Sequence, residues 1–226
     1  MSVLSETVDW LADGEHWTGD RGVPHRLVEH VGYTALTVVI AAAIAIPIGL
    51  WIGHTGRFRG VAVAVSGALR ALPTLGVLTY VVLFSGIGLT PAIISLVVLA
   101  IPPLLAGAYA GLESVDRQTI DAARAIGMTE RQILTKVEIP LALPIIIGGI
   151  RSATLQVVAT ATVAAYIGLG GLGRFLIDGL AVSDYPRMAA GSVLVIALAL
   201  ALDAVFVLFH RIAMGGREPV QSASLA

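Results

Sequence analysis

Three sets of residues in this sequence have types and spacings that chemistry could use. Gly168-Leu169-Gly170-Gly171-Leu172-Gly173 fits the pattern G-x-G-x-x-G. Where such a run leaves a strand and opens a helix, its backbone N–H groups cradle a dinucleotide's pyrophosphate. Here it leaves an apolar stretch of membrane-helix character, so a tight turn packed against neighbouring helices is the better reading. Arg70, Arg151 and Asp203 are ionisable residues inside apolar stretches. A charge in lipid is costly, which makes each a functional candidate. All three also lie within a few turns of expected helix ends, where anchoring at the headgroups or an Arg–Asp pair between spans would explain them. Tyr80, Tyr109 and Tyr166 lie in three different apolar stretches. Their ring faces would attract a quaternary ammonium ion through cation–π forces, so they are candidate pathway residues. Packing or interfacial anchoring competes with that role.

Other chemistries are excluded. There is no Cys, hence no disulfide, thiolate metal site or Cys nucleophile. There is no Asn, hence no N-glycosylation acceptor. The single lysine, Lys136, stands between Thr135 and Val137, so the Gly-Lys-Ser/Thr core of a phosphate-binding loop is absent. Any ATP hydrolysis must come from another chain. His16, His25, His30, His54 and His210 are read as lying at span edges or outside, with no metal-binding spacing. Neither a metal, a cofactor nor a histidine proton relay is expected.

The elements that would position these residues are membrane helices. Of 226 residues, 57% are hydrophobic and 13% charged, and the mean hydropathy is +0.89. A soluble domain carries roughly 25% charged residues. This is an integral membrane protein, and a net charge of −1 gives no field to attract nucleic acid. Residues 1–30 are mixed and acidic, unlike a secretory signal, and read as an external segment with an interfacial helix around Trp10 followed by a Gly/Pro loop. Residues 31–211 read as the transmembrane domain, all-α, with about five spans. They are Val31–Gly53, Val61–Phe84 with Arg70 inside, Leu89–Leu112 kinked at Pro102-Pro103, Ile139–Ile167 and Met188–Phe209. Residues 212–226 read as a tail. One face receives Arg57, Arg59, Arg117, Arg124, Arg131, Lys136, Arg211 and Arg217, and the other Arg21, Arg26, Arg174 and Arg187. The positive-inside rule places the first face and the C-terminus in the cytoplasm, and the N-terminus outside.

The cytoplasmic loop 113–138 is the only long charged segment between spans. Asp116 is placed to cap a short helix, with Ile120, Ala123 and Ile126 on one face. Gly127 would end it in a left-handed cap. Thr129-Glu130-Arg131-Gln132 has the spacing of a capping box, so a second helix starts at once, with Ile133, Leu134 and Val137 as its apolar side. Pro140 marks re-entry into the membrane. The result is a helix–Gly–helix elbow at the membrane surface.

Asp121-Ala122-Ala123-x3-Gly127-x9-Val137-x-Ile139-Pro140 closely resembles the EAA loop of ABC-importer permeases of the type I fold. That family's pattern is Glu-Ala-Ala, three residues, Gly, nine residues, then Ile-x-Leu-Pro. Asp121, Val137 and Ile139 are conservative departures. The resemblance implies that Asp121, Ala122, Ala123, Gly127, Val137, Ile139 and Pro140 couple the chain to a separate cytoplasmic ABC ATPase. A closer resemblance, from Trp17 to about Arg211, is to the osmoprotectant permease subgroup. It rests on Arg70-Ala71-Leu72-Pro73-Thr74-Leu75, Gly86-Ile87-Gly88-Leu89-Thr90-Pro91, Ile101-Pro102-Pro103, Ile167–Arg174 and Asp178-Gly179-Leu180. That subgroup imports glycine betaine, carnitine, choline or proline betaine. Related methionine and quaternary-amine importers share parts of these motifs, so another small solute such as an amino acid is the alternative.

The resemblance implies a multi-pass protein of the bacterial cell membrane, without catalytic residues. Its partners would be ATPase subunits, a second permease subunit (identical or paralogous) and a separate extracytoplasmic solute-binding protein. Gly168, Gly170, Gly171 and Gly173 would lie beside the outer gate. An ion-coupled secondary transporter would need acidic or His relays at the midplane and often shows inverted repeats, and the sequence displays neither. An intramembrane hydrolase would need a Ser–His dyad or a buried carboxylate pair, and no His falls within an expected span.

Overall fold

The computed structural model describes residues 2–214, with side chains to residue 212. The proposed tail, and Arg217 with it, lies outside the described residues. The elements are α1 (Val3–Ala12), α2 (Val23–Thr55), α3 (Arg59–Arg70), α4 (Thr74–Ser85), α5 (Leu89–Glu113), α6 (Arg117–Ala125), α7 (Glu130–Ile133), α8 (Ile139–Ala164), α9 (Gly173–Val182) and α10 (Tyr185–Met214). Short 3-10 turns occupy Gly14–Trp17 and Ala165–Ile167, and a π turn, Leu134–Glu138, joins α7 to α8.

The centre of the bundle is α2, α5 and α8. Ala41, Ala45 and Ile52 of α2, Val97, Ala100 and Leu104 of α5, and Ala153 and Val157 of α8 are buried together. In lipid no water-driven force presses helices together, so close van der Waals approach between small residues must do so. The α5–α8 crossing shows this directly. A Cβ built on Gly107 would stand 2.6 Å from the Gly149 Cα, and one on Gly149 would stand 2.8 Å from the Gly107 Cα. The two backbones touch there, and a side chain on either would force them apart.

α5 continues as one helix through Pro102 and Pro103, both buried. Pro103 has no N–H to offer the carbonyl four residues back, which is that of Leu99. The Gln156 side chain of α8 takes up that carbonyl at 2.7 Å. A backbone acceptor stranded away from water is thus satisfied by a neighbouring helix.

Among the described residues, four helical stretches are long and apolar enough to cross a membrane: Val23–Thr55, Leu89–Glu113, Glu130–Ile167 and Tyr185–Ile212. The expected second span is not one straight helix. It is divided into α3 and α4, which meet at 89°, and this bent pair brings the count to five if taken as one span. Pro73 causes the break. It cannot donate to the helix and it pushes Leu72 out of the helical region. Arg70 therefore ends α3 at the bend, exposed. The Arg–Asp pair is present: Arg151 of α8 holds Asp203 of α10 through two hydrogen bonds of 2.6 and 2.8 Å.

A further correction concerns His30. α2 begins at Val23, with Pro24 in its first turn, eight residues before the span inferred from hydropathy. His30 is consequently inside the helix and 1% exposed, and His54 lies in its last turn. His25, Arg26, Glu29 and His30, which hydropathy left before the first span, are in the polar first turns of a long helix. α1 forms as expected and packs its Trp10 edge-on to Phe175 of α9 at 5.3 Å.

Gly149→Val should lower the folding stability of the purified protein by about 1–3 kcal/mol, because only backbone faces the new methyls. Thermal unfolding in detergent should fall by several degrees. Gly148→Ala, which points into open space, is the control. Equal midpoints for the two variants would show that α5 and α8 do not cross at Gly149.

Candidate functional site

The elbow is built by local capping. The Asp116 carboxylate accepts the Gln118 N–H at 3.0 Å and starts α6. Gly127, at φ +86°, stops it. The Met128 N–H returns to the Ala123 carbonyl at 3.1 Å and the Gly127 N–H to Arg124 at 2.9 Å, the two bonds of a Schellman motif. Thr129 and Gln132 exchange backbone and side-chain bonds in a complete capping box, which starts α7. From there helix continues through the π turn into α8, so elbow and span form one rod from Glu130 to Ile167. The π turn directly precedes Pro140, where it re-registers bonds that the proline cannot make.

Asp121, Ala122 and Gly127 are exposed, and Ala123 is buried against the protein. Ile126, grouped by spacing with Ile120 and Ala123, instead points outward and is 80% exposed, because as the residue before the left-handed glycine it has left the helix. It adds an apolar spot beside Ala122. Val137, Ile139 and Pro140 lie half-buried at the joint between elbow and span. The seven proposed coupling residues therefore divide into a surface group and a joint.

Electrostatics hold the elbow together. Arg124 grips Glu130 with bonds of 2.8 and 3.1 Å and reaches Asp121 at 3.4 Å. The Glu130 hydrogen bond raises the Arg124 pKa above its already high ordinary value, so this guanidinium stays cationic. Glu138, in the π turn, is 3% exposed, and its carboxylate is hydrogen-bonded to Nδ1 of His54 on α2. His54 Nε2 stands 3.5 Å from Glu130, and Arg59 of α3 pairs with Glu113 of α5 at 3.2 Å. Sequence reasoning missed His54 and Glu138. The available signal was a lone carboxylate between Val137 and Ile139, which burial would oblige to find a partner.

At the far end, the glycine run is a turn and not a dinucleotide loop, since α8 and a 3-10 turn precede it where a strand would be needed. Gly168 and Gly171 adopt φ of +86° and +83°. A Cβ on Gly170 would overlap the Glu29 carboxylate, and one on Gly173 would overlap the Thr162 carbonyl. α2 holds the turn in place. Glu29 accepts the Gly171 N–H at 2.8 Å, and His30 Nδ1 accepts the Leu172 N–H at 3.3 Å. With Nδ1 an acceptor, His30 Nε2 carries the proton and donates to the Val158 carbonyl of α8 at 3.0 Å. The three tyrosines lie in different elements: Tyr80 in α4, Tyr109 in α5 and Tyr166 in the 3-10 turn after α8. Tyr80 and Tyr166 are exposed, and Tyr80 leans on Phe84 at 5.0 Å. Tyr109 packs on the α2–α5 core. Among the described residues no cluster of His, Asp and Glu could hold a metal.

Residues 45–213 match the family model described as binding-protein-dependent transport system inner membrane component. The chain is 34% identical to a carnitine transport permease protein, OpuCB, of Listeria monocytogenes, over 77% of this chain and 80% of that protein. It is 36% identical to the osmoprotectant import permease protein OsmW of Salmonella typhimurium, over 77% and 84%. It is 30% identical to the choline transport system permease protein OpuBB of Bacillus subtilis, over 83% and 86%. Among solved structures, an inward-facing methionine ABC transporter, MetNI, aligns with a TM-score of 0.74 at 23% identity, covering 82% of this chain and 93% of that one. An amino acid ABC transporter aligns with a TM-score of 0.69 at 20% identity, covering 94% and 99%. These two likenesses establish the fold.

His54→Leu and Glu138→Leu should each lower the thermal midpoint in detergent, because each leaves a polar group without its partner. The double variant should lose about 0.5–3 kcal/mol less than the sum of the singles. Additive losses would mean that the two side chains do not act as a pair.

Proposed function

This chain belongs to the family of binding-protein-dependent transport system inner membrane components, and from that membership we propose how it works and what it carries. It is a multi-pass transport permease and not an enzyme. Its substrates are small compatible solutes of the carnitine, choline and glycine betaine kind, as named for its relatives. ATP is hydrolysed by separate cytoplasmic subunits. A second permease subunit, identical or paralogous, completes the pathway, and an extracytoplasmic binding protein delivers the solute. The elbow then faces the cytoplasm and the glycine turn the outside, with the N-terminus outside and the C-terminus inside.

The observation that carries this reading is the elbow. Asp121, Ala122 and Gly127 stand open on a fully capped two-helix unit whose second helix is continuous with α8. Force applied to the exposed helix is therefore delivered to a helix at the centre of the bundle. Small side chains at 122 and 127 let a partner surface approach closely. ATP-driven closure of the partner subunits moves the elbow, and α8 moves with it, which is how alternating access would be driven.

The first test is purification of the tagged chain from its native membrane, with identification of what accompanies it. A nucleotide-binding ATPase and a solute-binding protein are expected, and the chain recovered alone would count against the importer. The second is Gly127→Val in the reconstituted complex. A β-branched residue in the left-handed region is disfavoured by about 1–2 kcal/mol, enough to shift an equilibrium roughly tenfold. Solute uptake should fall by about that factor while ATP turnover continues, and undiminished uptake would exclude the elbow as the coupling element.

A further inference from the structure

Opposite the elbow, a cavity of about 510 Å³ is lined by Arg21, Arg26, Arg174 and Arg187, with Asp178 its single carboxylate. The arginines come from four places: the connector before α2, the first turn of α2, the start of α9 and the start of α10. The fold thus assembles them, since no local sequence pattern does. Asp178 binds Arg174 at 2.7 Å and Arg187 at 3.2 Å, and Glu29 binds Arg26 at 2.8 Å. Arg21 is exposed and makes no ion pair among the described residues. Three of the four guanidinium groups therefore share two carboxylates, one of which also accepts the Gly171 N–H, and the fourth, Arg21, has none. Guanidinium forks with unused N–H groups are suited to a carboxylate, which they bind through paired charge-assisted hydrogen bonds.

The surroundings narrow the occupant. Asp9, Asp13, Glu15 and Asp20 make the adjoining N-terminal segment acidic, and Glu15 and Asp184 line the neighbouring cavity. This end does not attract anions as a whole, so an acidic group is taken at one spot only. A free betaine would find arginines for its carboxylate but no aromatic face for its ammonium group, because Phe175 is buried and lies beneath Arg187. A single carboxylate side chain on a protein surface fits both facts.

We propose that this pocket seats an acidic side chain of the extracytoplasmic solute-binding protein. The inference rests on the importer reading. The same arginines connect the pocket to the glycine turn. Arg26 pairs with Glu29, which holds Gly171, and Arg174 donates to the Ala165 carbonyl at 3.3 Å in the turn before Gly168. An arriving carboxylate competes with Glu29 and Asp178 for these guanidinium groups. Docking is thereby felt at the backbone of the turn.

The test uses the complete complex in vesicles of uncharged phosphatidylcholine, with glycine betaine uptake measured against the concentration of its binding protein. Arg21→Glu, which breaks no ion pair, should raise the half-saturating concentration about tenfold and flatten its dependence on salt. Arg21→Lys, which keeps the charge, should stay within about threefold of wild type. An unchanged half-saturating concentration for Arg21→Glu overturns the proposal. So does a defect seen only when phosphatidylglycerol is added, which would make the pocket a lipid-phosphate site. Wild-type vesicles that import without any binding protein would overturn the importer reading itself, and this inference with it.

Discussion

The crossing of α5 over α8, backbone against backbone at Gly107 and Gly149, is the contact on which the rest of the bundle depends. It brings the two helices near enough for Gln156 to reach the carbonyl that Pro103 leaves free. It also sets α8 at a fixed depth beside α5, and α2 packs along both. A membrane offers no water to satisfy stray polar groups, so position and hydrogen bonding cannot be settled separately. Once the glycines fix the approach, Gln156 is committed to the Leu99 carbonyl.

α2 is the strut between the two ends of the molecule. Its 33 residues span about 50 Å. Near its start, Glu29 and His30 hold the glycine turn and touch α8 through Val158. In its last turn, His54 holds Glu138 in the π turn that leads into α8 from the elbow. α2 and α8 are thus tied by polar contacts at both ends and by apolar packing between. A pair of rods joined at each end transmits displacement without a chain of soft intermediates. The π turn lies where the lower tie is made, and it adds a place at which the rod can re-register.

α10 is the contrast. Little of its apolar surface is covered, and Val193, Ile196, Leu200, Val205 and Leu208 face outward. Its ion pairs to other helices among the described residues are Arg187 with Asp178 of α9 and Asp203 with Arg151 of α8. The latter pair accounts for two of the three charges that hydropathy left unexplained. The third, Arg70, is explained by the bend at Pro73.

The amino-acid sequence alone determined the membrane class, most of the helices and the elbow. Those features depend on short-range physics: hydropathy summed over one span, and caps made by residues two or three apart, as in Asp116–Gln118 and Thr129–Gln132. It also marked Gly168 to Gly173 as a turn, because positive φ is a local demand. It failed where a residue's meaning comes from a distant partner. His54 and Glu138 are 84 residues apart in sequence, and His30 and Val158 128. Which faces of α2, α8 and α10 meet is set by how the helices cross, and no one-dimensional period records it. The gathering of four arginines around one cavity was decided in the same way, by the tertiary structure, because each comes from a different element.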